Sequence, residues 1–174
     1  MRIGDSIIDF TLPGTDGKIY SLSSFEKGKP IAVIFWCNHC PYVKAWEDRI
    51  IKIGNEFKEK VQFVLINAND PNKYPDDSFE KMKERAKEKN YPFPYLFDES
   101  QNVPRKYNAQ RTPEIFLFDQ NWKLVYHGAP DDNYEDEKKV KKRYFVDAIQ
   151  SILNNQKPEI SETHPVGCTI KWKN

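Results

Sequence analysis

The order of apolar and polar positions predicts a strand, a helix and a second strand in the first half of the chain. A run of five apolar residues, Ile31 to Phe35, is typical of a buried strand, and Val61 to Ile66 shows a similar, β-branched pattern. Between them, apolar residues recur at the spacing of one helix face from Tyr42 to Phe57. This order predicts parallel strands joined by a right-handed crossover. A charged surface helix is predicted further on, from Ser78 to Lys89.

The second half of the chain predicts antiparallel strands. Ile115 to Phe118 and Leu124 to His127 flank a polar turn at residues 119–121, which is the pattern of a hairpin. An amphipathic helix is predicted to follow from Lys139 to Asn154. A central mixed β-sheet with helices on both faces satisfies both halves, so the predicted fold class is α/β.

Two terminal segments extend this predicted core. Ile7 to Leu12 and Ile19 to Leu22 surround an Asp-Gly turn and predict an N-terminal β-hairpin within residues 1–30. Residues 157–174 are expected to form an extended or irregular C-terminal tail. The sequence has no internal repeat, and 174 residues suit one domain, so a single domain is predicted over residues 1–174.

Charge and hydropathy argue against several partner classes. The chain has 27 Lys and Arg against 26 Asp and Glu, so its net charge of +1 favours neither nucleic acid nor an anionic membrane. No apolar run approaches the roughly 20 residues of a membrane span. The first residues, Met1 to Asp5, lack the apolar segment of a signal peptide, which predicts a cytoplasmic location.

Two of the three cysteines lie in one motif, Trp36-Cys37-Asn38-His39-Cys40-Pro41. An odd number of cysteines is less typical of a secreted disulfide scaffold than of redox or metal chemistry. The motif falls where a predicted strand ends and a predicted helix begins. Unpaired N–H groups and the helix dipole stabilise an anion there. The pair is therefore a candidate redox site, with the pKa of the Cys37 thiol expected at roughly 3.5–7.5.

The chain resembles the thioredoxin superfamily through this Cys motif together with Thr112-Pro113, which opens the later hairpin. The N-terminal hairpin and the segment from Val61 to Tyr107 resemble its peroxiredoxin-like branch, the alkyl hydroperoxide reductase/thiol-specific antioxidant group. The ending Pro165 to Lys173, with Gly128 and the Asp131-Asp132 pair, resembles a little-characterised subfamily of that branch. The resemblance spans nearly the whole chain and implies a thioredoxin fold.

The resemblance also implies roles for site residues. Cys37 would be the exposed attacking thiol, and Cys40 would resolve the mixed disulfide. Pro113 would be cis and lie beside the motif, leaving the Thr112 backbone free to pair with an extended substrate. Trp36 would form a flat apolar wall beside the site, although simple core packing is an alternative.

His39 stands where thioredoxin has a proline. An imidazole there could donate a hydrogen bond to the Cys37 thiolate or carry positive charge near it. Either contact would stabilise the reduced form and make the disulfide more oxidising. The alternative is a solvated histidine with little effect on the thiols.

The strand before the motif lacks the buried acid that thioredoxin has there. Glu114 and the Asp131-Asp132 pair are candidates for the missing proton relay. For Glu114 the alternative is a carboxylate at an exposed strand end. For the aspartates a solvated turn is the expectation, because most charged side chains are solvated.

Cys168 has two interpretations. It could be a small buried hydrophobe in a docked tail. It could also be a third redox thiol that receives the disulfide from Cys37 or Cys40, as a tail cysteine does in some peroxiredoxins. About ten residues at ~3.3 Å each could carry it from the last helix across the domain.

These features predict a thiol-disulfide oxidoreductase without a cofactor, whose partners are protein or small-molecule disulfides and a thiol-based electron donor. A thiol peroxidase is the first alternative. Peroxiredoxins need a Pro-x-x-x-Thr/Ser-x-x-Cys pattern, and counting back from Cys37 gives Pro30 but Ile34 in place of the hydroxyl. The peroxiredoxin Arg would fall at Pro113, so the peroxide-activating groups are missing.

Two further alternatives are weaker. Cys37, His39 and Cys40, with His127 or Cys168, are soft ligands that suit copper or zinc. Copper-delivery relatives of the fold have a Cys-x-x-x-Cys-Pro spacing, however, and the spacing here fits disulfide exchange better. A redox-inactive adaptor would not need both motif cysteines.

Overall fold

The computed structural model describes residues 1–174, which form nine strands and four α-helices. The strands are β1 Thr11–Pro13, β2 Ile19–Ser21, β3 Ile31–Phe35, β4 Gln62–Asn67, β5 Tyr95–Phe97, β6 Arg111–Thr112, β7 Glu114–Phe118, β8 Leu124–Gly128 and β9 Cys168–Thr169. The helices are α1 Pro41–Phe57, α2 Phe79–Glu88, α3 Asn102–Tyr107 and α4 Tyr144–Leu153. None of these helices has the length and apolar character needed to cross a membrane.

The central sheet has five strands in the order β5-β4-β3-β7-β8. Strand β3 pairs in parallel with β4, and β4 pairs in parallel with β5. Strand β7 runs antiparallel to both β3 and β8. The parallel half comes from the β3-α1-β4 crossover and the antiparallel half from the β7-β8 hairpin. The predicted mixed α/β sheet is therefore confirmed.

Successive residues of β3 point to opposite faces of the sheet and enter two separate apolar cores. Ala32 and Ile34 pack with residues of α1, α2 and α4. Val33 and Phe35 pack on the other face with α3, the N-terminal segment and Ile170 of the tail. Every residue of β3 is apolar because the strand is buried on both faces.

The predicted N-terminal hairpin is present, but its first strand is shorter than expected. β1 and β2 pair antiparallel from Thr11 onward. The Asp9 carboxylate accepts the backbone N–H groups of Phe10 (2.7 Å) and Leu22 (3.0 Å). Because these bonds take the place of strand pairing, the ladder does not extend back to Ile7.

The last helix is also shorter than the predicted segment from Lys139. The backbone N–H of Lys141 donates to the Asp132 carboxylate (3.0 Å), and the N–H of Asp132 donates to the carbonyl of Lys142 (3.2 Å). These bonds hold the intervening segment against the preceding loop. The helix therefore begins only at Tyr144.

The C-terminal tail, residues 157–174, is extended, as predicted, and packs on two parts of the fold. Its first part runs beside β8, where His127 exchanges backbone hydrogen bonds of 3.0 Å with Ser161 and Thr163. Its second part contains β9, which pairs antiparallel with β6. Ile170 follows β9 and is buried in the core. The tail is thus anchored on both sides of Cys168.

Candidate active site

The Cys motif lies between the end of β3 and the start of α1. Trp36 donates its N–H to the carbonyl of Ile66 (2.8 Å), which extends the pairing with β4 one residue beyond β3. Pro41 is the first residue of the helix, where its missing N–H costs no hydrogen bond. Cys40 is the N-cap residue and has an extended backbone. The predicted position of the motif is therefore correct, and Cys40 is the cysteine at the helix N-terminus.

Both motif cysteines are buried, each only 1% exposed. The expectation that Cys37 would be the exposed thiol is therefore wrong in this structure. The C-terminal tail lies over this part of the site, because β9 pairs with the strand that precedes Pro113 and places Cys168 against Cys40. Cys168 is only partly buried.

The three cysteine sulfurs form one cluster of free thiols. The Sγ atoms of Cys40 and Cys168 lie 2.6 Å apart, and the Cys37 thiol is close enough to shift the pKa of Cys40. Thr112 lies beside both motif thiols. Its hydroxyl is 3.5 Å from Cys37 Sγ, and its carbonyl oxygen is 3.5 Å from Cys40 Sγ. Cys40 is therefore the central sulfur of the cluster.

The electrostatics of the cluster place the negative charge on Cys40. The hydrogen bond from the Cys37 thiol lowers the pKa of Cys40 to about 5, against the opposing effect of burial, with help from the Cys168 thiol and the N–H of Val43. The same Cys37–Cys40 contact raises the pKa of Cys37 well above its usual value, and burial and the charge of Asp77 add to that shift. The direction at Cys37 is therefore opposite to the predicted lowering of its pKa, because the contact with Cys40, burial and the Asp77 charge all disfavour its thiolate.

Thr112 and Pro113 border the sulfur cluster, and the peptide bond between them is cis, as the resemblance implied. The Thr112 backbone is not free for a substrate, however. It pairs with Cys168, and Arg111 pairs with Thr169, in the antiparallel β6–β9 ladder. The chain's own tail therefore occupies the strand position that the resemblance assigns to an extended substrate.

His39 contacts a buried carboxylate that sequence reasoning missed. Its Nδ1 lies 2.6 Å from Oδ2 of Asp77, and its ring stacks on Tyr74 at 5.9 Å between centroids. Asp77 is fully buried and also accepts hydrogen bonds from the N–H of Asn38 (2.8 Å) and the side-chain amide of Asn69 (2.9 Å). The His39 side chain is therefore 31% exposed and makes no hydrogen bond to the Cys37 thiol, but a ring nitrogen lies within 4.8 Å of that sulfur, so the predicted position near the thiol is compatible with the structure.

The same residues are the ones that could hold a metal ion. One ligand atom each from Cys37, His39 and Asp77 lies within 4.8 Å of the other two. This set differs from the predicted copper or zinc ligands, because Asp77 is included. His127 is not part of it, since its ring lies between Glu114 and Glu162 on the other side of the β7-β8 hairpin. The only sequence signal for Asp77 was its place before a predicted helix, which indicates an N-cap.

Glu114 is buried, not exposed as its alternative interpretation expected. Oε1 accepts the backbone N–H groups of Gln110 (2.8 Å) and Arg111 (2.9 Å), and Oε2 lies 2.6 Å from Nε2 of His127. Burial lowers the pKa of His127, but the hydrogen bond and charge of Glu114 outweigh burial, so the pKa is raised overall. Glu114 makes no hydrogen bond to a cysteine. Its contacts support the loop that leads to Thr112.

The expectation of a solvated turn is wrong for Asp131 and correct for Asp132. Asp131 is buried, and both of its carboxylate oxygens accept hydrogen bonds from Arg49 on α1, at 3.1 and 2.8 Å. Arg49 also donates to the carbonyls of Asn133 (2.6 Å) and Tyr134 (2.9 Å). Asp132 is exposed. Asp131 ties a loop to α1, and neither aspartate makes a hydrogen bond to the thiols.

Trp36 belongs to the core, in agreement with the simpler of its two interpretations. Its ring is only 1% exposed, and its indole N–H donates to the Tyr91 hydroxyl (3.1 Å). Tyr91 in turn donates to the Glu47 carboxylate (2.6 Å), which pairs with Arg85. This network holds α1 and α2 against the motif.

The fold and the thiol cluster define a thioredoxin-fold protein of the redox class. The model of the AhpC/TSA family matches residues 3–127, well over half of the chain. The chain therefore belongs to the AhpC/TSA family. No curated protein matches this sequence.

Solved structures show the same architecture. An uncharacterized conserved protein from Geobacillus kaustophilus is 35% identical, with a TM-score of 0.93 over 99% of this chain and 93% of that one. A hypothetical protein from Sinorhizobium meliloti 1021 is 31% identical, with a TM-score of 0.93 over 99% and 96%. The thioredoxin domain of a thiol-disulfide oxidoreductase from Bacteroides vulgatus is 23% identical, with a TM-score of 0.61 over 73% and 88%, and supports the fold alone.

Proposed function

We propose that this protein is a thiol-disulfide oxidoreductase that uses Cys37 and Cys40 as its dithiol/disulfide pair. The observation that carries the proposal is the state of Cys40. Cys40 is the N-cap residue of α1, its Sγ lies 2.6 Å from Cys168 Sγ and 3.5 Å from the Thr112 carbonyl oxygen, and the neighbouring Cys37 thiol lowers its pKa to about 5. A thiolate is the reactive species in disulfide exchange, and a neighbouring thiol is needed to resolve the mixed disulfide.

The chemistry proceeds in two exchanges. The Cys40 thiolate attacks a substrate disulfide, forms a mixed disulfide and releases one substrate sulfur, which takes up a proton. Cys37 then loses its proton and attacks Cys40 Sγ, which expels the second substrate sulfur as a thiolate. Two electrons and the one proton of Cys37 pass to the substrate, which is released as one thiol and one thiolate, and a Cys37–Cys40 disulfide remains. The reverse sequence oxidises a substrate dithiol.

This order exchanges the roles that the resemblance assigned to the two cysteines. Cys37 is buried beside Thr112 and Asp77, where its protonated form is favoured. A protonated neighbour can donate to the Cys40 thiolate and can serve later as the resolving thiol. Disulfide or thiol substrates and a thiol-based electron donor are the partners of such a cycle, and the cytoplasmic location stays a prediction.

The test is a redox titration of the Cys168→Ser variant, in which only the motif pair remains. After equilibration in glutathione buffers, free thiols are alkylated and the protein is mapped by mass spectrometry. We expect a reversible Cys37–Cys40 disulfide and turnover of a small aromatic disulfide. The matched control, Cys37→Ser in the same background, should form no intramolecular disulfide. Absence of the motif disulfide at every buffer ratio would overturn the proposal.

A thiol peroxidase is the second candidate, because the chain belongs to the AhpC/TSA family and Cys40 is a stabilised thiolate. A peroxide would oxidise Cys40 to a sulfenic acid and be reduced to an alcohol or water. Cys37 would then form the disulfide and release water. Ile34 is buried in β3 and offers no hydroxyl to the peroxide. Consumption of hydrogen peroxide is therefore expected to be slow relative to disulfide exchange, and a faster peroxide reaction would favour the peroxidase.

A further inference from the structure

The C-terminal strand β9 has the geometry of a bound substrate. It runs antiparallel to β6, with Cys168 opposite Thr112 and Thr169 opposite Arg111. The N–H of Ile170 donates to the carbonyl of Gln110 (3.0 Å), which continues the pairing. An extended segment that pairs with the residue before the cis proline, and carries a cysteine at that register, is what strand addition at this site requires.

Gly167 permits this close approach. A Cβ atom at Gly167 would lie 2.1 Å from the carbonyl oxygen of Thr112 and 2.7 Å from its carbonyl carbon. No side chain fits at those distances. The carbonyl of Gly167 also accepts a hydrogen bond from the Arg111 guanidinium (3.2 Å). The Gly-Cys order therefore sets the position of Cys168 against Cys40.

Anchors on both sides of β9 keep Cys168 at this position. Upstream, the Thr163 hydroxyl accepts the N–H of Ala129 (2.9 Å). Thr163 packs so closely on the neighbouring Gly128 that a side chain at position 128 would collide with it. Downstream, the carbonyl of Lys171 accepts the N–H of Asp70 (2.8 Å). Such a tail is a fixed part of the site and not a loosely attached cover.

Exposure separates the roles of the three thiols. Cys37 and Cys40 are each 1% exposed, whereas Cys168 retains contact with solvent. A cysteine that served only as an apolar filler would be expected in the fully buried position. Cys168 is instead the one cysteine of the three that keeps residual solvent exposure while the tail is docked.

We propose that Cys168 is a third redox thiol, and that β9 is a built-in substrate strand which passes the disulfide between the buried motif and external thiols. This proposal rests on the thiol-disulfide exchange proposed above. It identifies the accessible sulfur of that cycle and predicts a Cys40–Cys168 disulfide as an intermediate.

The relay consists of disulfide exchanges with no net oxidation in the internal step. The Cys168 thiolate attacks Cys40 Sγ of the Cys37–Cys40 disulfide. The Cys40–Cys168 bond forms, the Cys37–Cys40 bond breaks, and Cys37 leaves as a thiolate that takes up the proton lost by Cys168. An external thiol then attacks Cys168 Sγ and releases Cys40. A second external thiol frees Cys168, and the two external thiols are left as a disulfide.

The acidity of Cys40 favours attack at the exposed end of the Cys40–Cys168 bond. The better leaving group in disulfide exchange is the sulfur with the lower pKa. The pKa of Cys40 is lowered to about 5, chiefly by the Cys37 hydrogen bond, whereas burial raises that of Cys168 to about 11. Attack at Cys168, the partly exposed cysteine, therefore expels Cys40 as the better leaving group.

The first experiment uses the Cys37→Ser variant, in which Cys40 and Cys168 remain. It is treated with oxidised glutathione, quenched by alkylation and mapped by mass spectrometry. We expect an intramolecular Cys40–Cys168 disulfide in monomeric protein. Adding Gly167→Val, which removes no sulfur, should abolish that disulfide, with circular dichroism as the check that the fold persists. If Cys168 in Cys37→Ser is only alkylated or glutathionylated, the relay is overturned.

The second experiment measures rates. The Cys37–Cys40 disulfide of the Cys168→Ser variant, whose tail can dock as before, should be reduced by dithiothreitol about tenfold more slowly than that of the wild type, because access to the sulfurs limits exchange. An equal or faster rate would overturn the relay, since the tail would then act only as a cover. If Cys168→Ser forms no Cys37–Cys40 disulfide at all, the proposed function itself fails.

Discussion

Two histidine–carboxylate pairs in this molecule have the same local chemistry and different surroundings. In each, a ring nitrogen lies 2.6 Å from the oxygen of a fully buried carboxylate, His39 with Asp77 and His127 with Glu114. The first pair lies in the thiol motif, next to Cys37. The second lies on the β7-β8 hairpin and has a further partner, Glu162 in the tail, at 3.2 Å.

The two histidine–carboxylate pairs have the same geometry, so their different positions in the fold account for their different roles. Asp77 faces the thiols, so its charge raises the pKa of Cys37. Glu114 faces the backbone of the loop before Thr112, and His127 holds the tail through Glu162. We therefore infer that the His39–Asp77 pair affects redox chemistry and that the His127–Glu114 pair affects docking of the tail.

The largest expected effect is on stability. Asp77→Ala should lower the free energy of unfolding by roughly 2–5 kcal/mol, because it leaves two buried N–H donors without an acceptor at about 1–3 kcal/mol apiece. Glu114→Ala should cost less, because the N–H groups of Gln110 and Arg111 are only part-buried and water can replace the carboxylate. Urea denaturation measures both losses, and a near-neutral result for Asp77→Ala would contradict the buried network described above.

The second effect separates the two carboxylates by their influence on the thiols. Thiolate absorbance of the reduced wild type should show one step near pH 5 from Cys40, absent in Cys40→Ser. Asp77→Asn should lower the pKa of Cys37, because a negative charge beside it is removed. Glu114→Gln is the matched control and should leave the titration steps of Cys40 and Cys37 unchanged. Equal shifts in the two variants would refute the inference that Asp77, and not Glu114, acts on the thiols.

The Cys40 titration also has a consequence for stability. Its pKa in the folded protein, about 5, is below the unfolded value of about 8.5. Ionisation of Cys40 therefore stabilises the fold fully above pH ~8.5, and that contribution is lost as the pH falls through about 5. Urea denaturation of the wild type and Cys40→Ser across this range should show a difference that shrinks toward acid.

The third effect concerns the reduction potential of the Cys37–Cys40 pair, measured in the Cys168→Ser background. His39→Gln should lower the potential by tens of millivolts, where ~30 mV corresponds to about 1.4 kcal/mol. The reason is that Asp77, without the imidazole, opposes a thiolate more strongly. His127→Gln is the control and should leave the potential unchanged. A larger shift from His127→Gln would reverse our interpretation of the two pairs.

The smallest effect is the pH dependence of the His127 pair. The pKa of His127 is raised in the fold, so protonation of His127 stabilises the fold fully below the unfolded pKa of about 6.5. That contribution is lost as the pH rises through the raised value. Unfolding of the wild type should therefore become easier from about pH 6.5 upward relative to His127→Gln. A wild-type advantage that grows with pH would contradict the sign.

The backbone of the site could be predicted because its signals are local. Apolar periodicity located β3, α1 and β4, and the two cysteines followed from their place between Phe35 and the helix. The predicted bounds of two elements were wrong where a side chain distant in sequence takes the backbone N–H groups that the element would have used. Asp132 takes the N–H of Lys141 and delays α4, and Asp9 takes two backbone N–H groups and shortens β1.

The chain alone thus determined the order of strands and helices and the position of the Cys motif, because hydrophobic period, turn residues and cysteine spacing act over a few residues. The thioredoxin fold and the place of Pro113 beside the motif came from the resemblance. Only the tertiary structure decided which thiol carries the charge and which meets solvent. Those properties depend on groups far apart in sequence. The Asp77 carboxylate reaches Cys37, and the tail folds back 128 residues along the chain to place Cys168 on Cys40. Short-range sequence patterns do not predict such contacts, because the contacts form only when the whole domain has packed.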